Sequence, residues 1–374
     1  MGFEPGRLRQ AIAAALLAIP VLPALAQETG GRFASPYPLE MEMRRAAAPI
    51  RTCPQPPAPM RDLRIESGFA SGDYTKLVPE RVARRQALTK RLHAYVGDVV
   101  DLSDRAMLLK GEARQAAADC VLAWLRAWLG DGALLGDVTW PEGHYEREWV
   151  SIALGLSLLK LQAGEVAVQA PEWARNWYLQ ASSELADRYP LSAELRNNHW
   201  YWAGLASVVA GTVAGDRGRY DWGIAQLHAG IGDIDGDGFL PLELKRGEMS
   251  LRYTAFAASA LVVMAAFEQA NGRPLTETGQ ESIRRLVRRV LSGLADPAEF
   301  ERRAGARQEK FDPGVVRLLA WLEIYFGLTG DPEAEPWLRH LRPMKLMWLG
   351  GDVTMAFGRR IAPGPVVQSP LIGR

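Results

Sequence analysis

Several things are scarce in this chain of 374 residues, and each scarcity removes a class of function. Net charge is nearly absent, at +1, so the protein lacks the broad positive field that nucleic-acid binding uses. No nucleic-acid partner is expected. Histidine is rare, and His93, His144, His228 and His340 lie far apart without metal-ligand spacing, which makes them surface or structural residues. Nucleophile motifs built on Ser or Cys are missing, as are phosphate-cradling glycine loops. Period-two alternation of strand length is almost absent, so the chain is expected to be mostly α, and there is no fixed-period repeat, so a solenoid of the tetratricopeptide kind is not expected. Past the first residues, no apolar stretch runs long enough without charge to span a bilayer, so no membrane insertion is expected.

What is present begins with an export signal. Arg7 and Arg9 precede an apolar run from Ala11 to Leu25, and Ala24-Leu25-Ala26 is a small-x-small cleavage site, which predicts a signal peptide over 1–26 and a periplasmic protein. Losing Arg7, Arg9 and Glu4 with that leader balances the remaining charges. Any anionic partner must then be attracted by a local basic groove. Residues 27–62 are rich in Pro, Gly and small side chains and read as an extended arm. The only cysteines, Cys53 and Cys120, form an even pair that in an oxidising compartment predicts a disulfide pinning this arm to the first long helix.

From there helical periodicity dominates. Candidate helices cover roughly 82–95, 113–130, 146–164, 171–188, 198–214, 218–231, 245–271, 277–293 and 314–328. Many antiparallel helix pairs in one long chain suit an all-α, incomplete α/α toroid with a central cleft. That domain is expected over 63–358, with a poorly ordered tail at 359–374.

The chemistry concentrates in two runs. Asn197-Asn198-His199-Trp200-Tyr201-Trp202 supplies an amide and an imidazole, and Gly238-Phe239-Leu240-Pro241-Leu242-Glu243-Leu244-Lys245-Arg246 with Tyr253 supplies a guanidinium and a phenol. The first three can neutralise a sugar carboxylate while the phenol moves protons, which is what abstraction of the proton alpha to that carboxylate requires. Seven residues separate Arg246 from Tyr253, which predicts one helix face two turns apart. Trp202 lies three residues after His199 and, with Trp200, reads as a sugar-stacking platform. Taken alone, these spacings also fit a capping histidine and a chance Arg/Tyr pair.

Those runs, together with Ala320-Trp321-Leu322-Glu323-x-Tyr325 and Leu349-Gly350-Gly351-x-Val353-Thr354, resemble the periplasmic alginate (mannuronate) lyases of polysaccharide lyase family five. The resemblance covers roughly residues 50–358, and the positions of Cys53 and Cys120 share it. It implies Asn198, His199, Arg246 and Tyr253 as the catalytic set and a reaction needing no cofactor or metal, while Trp200, Trp202 and Lys245 are expected against the substrate. The implied partner is an acidic polysaccharide, handled by a monomer in or near an exopolysaccharide synthesis and export complex. One segment departs. Such lyases carry Ser-Lys-Tyr in a lid, where this chain has Ser67-Gly68-Phe69, leaving Arg64, Lys76 or Arg81 to supply the lid cation.

Competing readings remain open at this point. Asp233-x-Asp235-x-Asp237-Gly238 imitates half of a calcium loop but has Leu244 where the bidentate acid belongs. Glu243 with Asp233 or Asp235 would serve an inverting glycosidase. A non-catalytic polysaccharide-binding scaffold would retain the cleft without turnover. Arg284, Arg285, Arg288 and Arg289 read as a solvated helix face.

Overall fold

A computed structural model describes residues 33–163 and 170–372, apart from Leu39. The predicted signal peptide lies outside the described residues. Four antiparallel helix hairpins carry the fold: α1 (Pro79–Leu108) with α2 (Gly111–Leu129), α3 (Glu142–Gln162) with α4 (Glu172–Ala181), α6 (Asn198–Ala214) with α7 (Arg217–Gly232), and α9 (Ser250–Ala270) with α10 (Glu277–Ala295). Single-turn helices α5 (Leu185–Arg188) and α8 (Pro241–Leu244) sit in the connections. The first helix of each hairpin packs on the first helix of the next, α1 on α3 on α6 on α9, while α2 meets α4 and α7 meets α10 outside them. This is an α/α toroid, open where the series ends.

Burial follows from that layering. Inner helices α6 and α9 are apolar nearly all round because neighbours cover every side. Outer helix α10 buries one stripe, Ile283, Leu286, Val287, Val290 and Leu294, and turns its arginines away. The turn between α6 and α7 is written locally. Gly215 takes the left-handed φ of 70° that stops α6, and the Asp216 side chain accepts from the Arg219 N–H to start α7. The two helices then touch backbone to backbone, since a Cβ on Gly223 would lie 2.4 Å from the Gly204 carbonyl.

Several expectations needed correction. The helix expected at 82–95 continues to Leu108, because Val96, Val99, Val100 and Met107 extend the same buried stripe against α2 and α3. Cys53 and Cys120 are bonded, with Cα atoms 5.5 Å apart, but Cys120 sits on α2, the second long helix. Around it Trp124 and Trp128 donate their indole N–H groups to the carbonyls of Pro54 (2.7 Å) and Pro57 (2.8 Å), so the arm is hydrogen-bonded along that helix.

The far end of the chain continues through α11 (Ala298–Ala304), α12 (Pro313–Val316), α13 (Trp321–Thr329), α14 (Glu335–Leu341) and α15 (Val353–Phe357). The tail expected to be loose is tied down: Leu371 is buried, and its carbonyl accepts from the Phe311 N–H at 2.7 Å. Gly247–Ala270, passed over as a span, is long and apolar enough to cross a membrane, yet it is mostly buried in the core. Short strands also form, β1 (Phe69–Ala70) with β2 (Asp73–Leu77), and β3 (Lys345–Leu346) with β4 (Gly351–Asp352), both antiparallel. Three of these strands have two residues, too few to show a period of two, and the five residues of β2 bury neither face, so they carry no apolar alternation.

Candidate active site

The inner helices run the same way, so their N-terminal ends gather at one end of the toroid. There α1 brings Arg85 and His93, α3 brings Glu142, Tyr145, Glu146 and Trp149, α6 opens with Asn198 and His199, and α9 with Tyr253. The positive ends of these helix dipoles therefore point toward one cleft, a setting suited to an anion.

His199 owes its place to a cap. The Asn197 side chain accepts from the His199 N–H at 2.9 Å, starting α6 at that residue. Tyr145 stacks on the imidazole with centroids 3.6 Å apart and planes inclined by 11°. Burial, reinforced by the Arg246 and Arg85 guanidiniums, pushes the imidazole down to about 3, so His199 is neutral at rest. Its Nδ1 has no partner among the described residues.

Asn198 is fully buried and is held by a residue the sequence offered only as a glycosidase acid. Its N–H and Nδ2 donate to the two carboxylate oxygens of Glu243 at 2.6 and 3.0 Å. Burial lifts Glu243 to about 7, against the pull of those two donors. Asn198 keeps a second amide hydrogen, and its Oδ1 is unpartnered among the described residues.

Arg246 and Tyr253 meet by a different route from the expected helix face. The segment Gly247–Met249 is a 3₁₀ turn, with Gly247 at φ 57°, and α9 begins only at Ser250. This turn folds the guanidinium over the phenol ring, 3.8 Å from its centroid, while Phe69 of the β1–β2 hairpin lies 5.2 Å away on the guanidinium. Burial raises the Tyr253 phenol above its ordinary value, with Arg246 opposing, so Tyr253 is protonated at rest.

The proposed platform is elsewhere. Trp202 is buried, donating to the Phe256 carbonyl at 3.1 Å, and belongs to the core beneath the site. Trp200 packs edge-on against Tyr189 and donates to the Pro190 carbonyl at 2.9 Å. On a helix entering a core, the position three after a cleft residue faces neighbours as easily as the cleft. The aromatic wall comes from α3 and the chain end: Tyr145, Trp149 and Trp348 follow one another at 6.4 and 6.2 Å, and His93 stands edge-on to Trp348 at 5.1 Å. Thus His93, expected to be peripheral, lines the site, with its Nε2 2.5 Å from Glu146. Glu142, Tyr145, Glu146 and Trp149 have i, i+3, i+4, i+7 spacing, a stripe that a helix drawn from residue 146 cuts in half.

Trp348 reaches the wall on the loop between β3 and β4, which is anchored by the buried Lys160 ammonium donating to Asp104 and the Gly350 carbonyl. Lys245 is exposed at the end of α8. Of the lid cations, Arg64 pairs with Asp137 at 2.9 Å, and Arg81 donates to the Phe69 carbonyl at 2.7 Å. Lys76 shares a face of β2 with Tyr74 and has no ion pair among the described residues.

The decoys resolve into structure. Asp233 is gripped by Arg196 through two 2.6 Å bonds, and Asp235 pairs with Arg303 at 2.8 Å. The predicted arginine face of α10 also has polar partners, Arg284 bonding Glu281, Arg285 bonding Ser282, Arg288 bonding Glu333 and Arg289 bonding the Asp237 carbonyl. Among the described residues no three His, Cys, Asp or Glu side chains are grouped to hold a metal.

Known proteins resemble the chain in sequence and in fold. The family profile described as Alginate lyase matches residues 90–300. An alginate lyase of Azotobacter vinelandii is 32% identical, covering 86% of this chain and 87% of its own. A polysaccharide lyase of Stenotrophomonas maltophilia (strain K279a) is 30% identical over 87% of this chain and 95% of its own. A histidine-to-alanine variant of alginate lyase A1-III, complexed with tetrasaccharide, superposes with a TM-score of 0.70 at 20% identity, covering 84% and 89% of the two chains. The structure of alginate lyase A1-III from Sphingomonas species A1 gives 0.67 at 20% identity, covering 86% and 90%. With its profile, its identity over most of its length and its toroid in agreement, the chain belongs to the alginate lyase family and is a polysaccharide lyase.

Proposed function

We propose that the protein cleaves a polyuronate, mannuronate-rich alginate or a related uronate polymer, with His199, Asn198, Arg246 and Tyr253 around the reacting sugar. One observation carries this reading: a neutral imidazole, a protonated phenol and a guanidinium held against that phenol converge where inner-helix N-termini meet. Arg246 and the remaining Asn198 amide hydrogen, with a hydrogen bond from His199, neutralise the C5 carboxylate and make the C5 proton acidic. A base takes that proton, the C5–H electrons form C4=C5, the C4–O4 bond breaks, and O4 leaves with a proton from an acid.

The resting protonation states suit one stereochemistry directly. For a sugar whose C5 proton and leaving group lie on opposite faces, neutral His199 accepts and phenolic Tyr253 donates, with no prior ionisation. When both lie on one face, as in mannuronate, Tyr253 must first lose its proton, then acts as base and returns the proton to O4. Lys245 and Lys76 are cations available for flanking carboxylates. Trp202 and Trp200 have no place in this scheme except as packing.

The test is ultraviolet absorbance of the conjugated uronate over time on polymannuronate, polyguluronate and polyglucuronate. A rise in the wild type that is lost in Tyr253→Phe and His199→Ala supports the scheme. A rise retained in both variants would reject these roles.

Export to the periplasm is part of the proposal, on the strength of the basic and apolar start and of a disulfide that an oxidising compartment sustains. So is work as a monomer beside an exopolysaccharide synthesis and export complex. A periplasmic fraction holding a chain that still starts before Gln27 would contradict cleavage, and a dimer by light scattering would contradict the monomer.

A further inference from the structure

The aromatic wall does not stop at Tyr145. Trp140, in the turn that leads into α3, has its ring centroid 6.2 Å from that of Tyr145, nearly the interval that separates Tyr145 from Trp149 (6.4 Å) and Trp149 from Trp348 (6.2 Å). Four rings therefore follow one another at even steps. His199, stacked on Tyr145, meets this row at an inner member rather than at its end, with Trp149 and Trp348 to one side and Trp140 to the other.

Of the twelve tryptophans, Trp140 is the most open to water, at 49% exposure, yet it is not loose. The ring stands edge-on to His144 at 5.4 Å, tilts over Tyr189 at 5.8 Å and takes the Arg188 guanidinium 4.9 Å from its centroid. Glu184 fixes Arg188 in turn, accepting from its Nε at 2.9 Å. The indole is thus supported on one side and open on the other. Trp124, Trp128, Trp177, Trp200 and Trp202 each donate the indole N–H to a backbone carbonyl, whereas that of Trp140 has no acceptor among the described residues. A large apolar ring held in place but left half in water gains stability when something covers it. A pyranose does so without burying charge, since its C–H groups lie on the ring faces and its carboxylate at the edge.

We propose that Trp140 forms an outer subsite of the cleft, stacking on a sugar of the same uronate chain that lies beyond the one at His199, so that long substrates are bound in preference to short ones. This rests on the polyuronate reading above and adds a binding residue and a length preference to it.

The experiment follows the ultraviolet signal of the conjugated uronate on polymannuronate, polyguluronate and polyglucuronate and on their oligomers from trimer to hexamer, using full-length wild type, Trp140→Ala, Trp140→Leu and Trp140→Phe. In the alanine variant KM is expected to rise roughly fivefold on polymer and hexamer, and less than about twofold on the shortest oligomer that the wild type cleaves, with kcat held throughout. Trp140→Phe, which keeps a flat ring, is expected to restore most of the affinity for long substrates. Trp140→Leu, which keeps apolar bulk without a stacking face, is expected to follow the alanine variant and covers the case in which that variant does not fold. A change in KM that is the same at every length, no change at any length, or a Phe variant no better than Leu overturns the role of Trp140 while leaving the lyase reading intact. Absence of the signal from the wild type on every polymer and oligomer overturns both.

Discussion

At the residue scale, protonation states decide what the site can do before substrate arrives. The pH dependence of kcat/KM reports the free enzyme, in which His199 stays neutral down to about 3 and Tyr253 stays protonated above its ordinary range. On polyguluronate the rate should therefore be flat through the neutral range. On polymannuronate it should climb with pH, roughly tenfold per unit well below the phenol pKa, because only ionised Tyr253 can act. Parallel profiles on the two polymers would reject separate bases. Glu243 makes a second prediction. Its folded-state value of about 7 exceeds the ordinary 4.5, so the folded protein holds that proton more tightly than the unfolded chain. The resulting stability is full below about 4.5 and lost as pH rises through about 7. Unfolding curves across that window should show this fall in the wild type and lose it in Glu243→Gln. That variant should also cut kcat, since it replaces one of the two carboxylate oxygens that accept from Asn198 with an NH2 donor.

At the element scale, helix starts place the chemistry. Asn197→Ala removes the cap that fixes where α6 begins and should destabilise the protein by about 1 kcal/mol in urea denaturation. It should also slow turnover, because His199 moves with the first turn; an unchanged kcat would show that Tyr145 stacking alone holds the ring. In the β1–β2 hairpin, Lys76→Ala should raise KM on polymer more at low salt than at high salt if Lys76 contacts a carboxylate. Helix boundaries were legible where a local signal marked them: α6 was read as 198–214 from its Asn/Asn start and Gly215 stop. They were less legible where a turn imitates a helix. Arg246 and Tyr253 fit a helical spacing, and they meet only because a 3₁₀ turn with Gly247 at positive φ doubles the chain back.

At the scale of the whole molecule, the arm and the toroid are joined covalently. Replacing Cys53 and Cys120 with serine should lower stability by up to about 4 kcal/mol in the chain-entropy picture of a loop this long. Turnover at low temperature should persist, since Cys120 lies on an outer helix; a collapse of activity without unfolding would place the arm in the catalytic cycle. The same layering accounts for α9. Its composition alone would suit a bilayer, and it is kept from one by burial between α6, α10 and α13.

The sequence by itself determined the all-α class and the cysteine pair, and its resemblance to the alginate lyases pointed to the four side chains proposed for the chemistry. Helical periodicity, caps and motif runs are local in the chain, and a reader needs no partner residue to see them. Only the tertiary structure decided which tryptophans face the cleft, that Glu243 holds Asn198, and that Arg85 from one helix is clamped by Glu142 and Glu146 of another. Those are contacts between segments tens of residues apart. Helix phase allows either face to be the cleft face, and packing alone chooses between them.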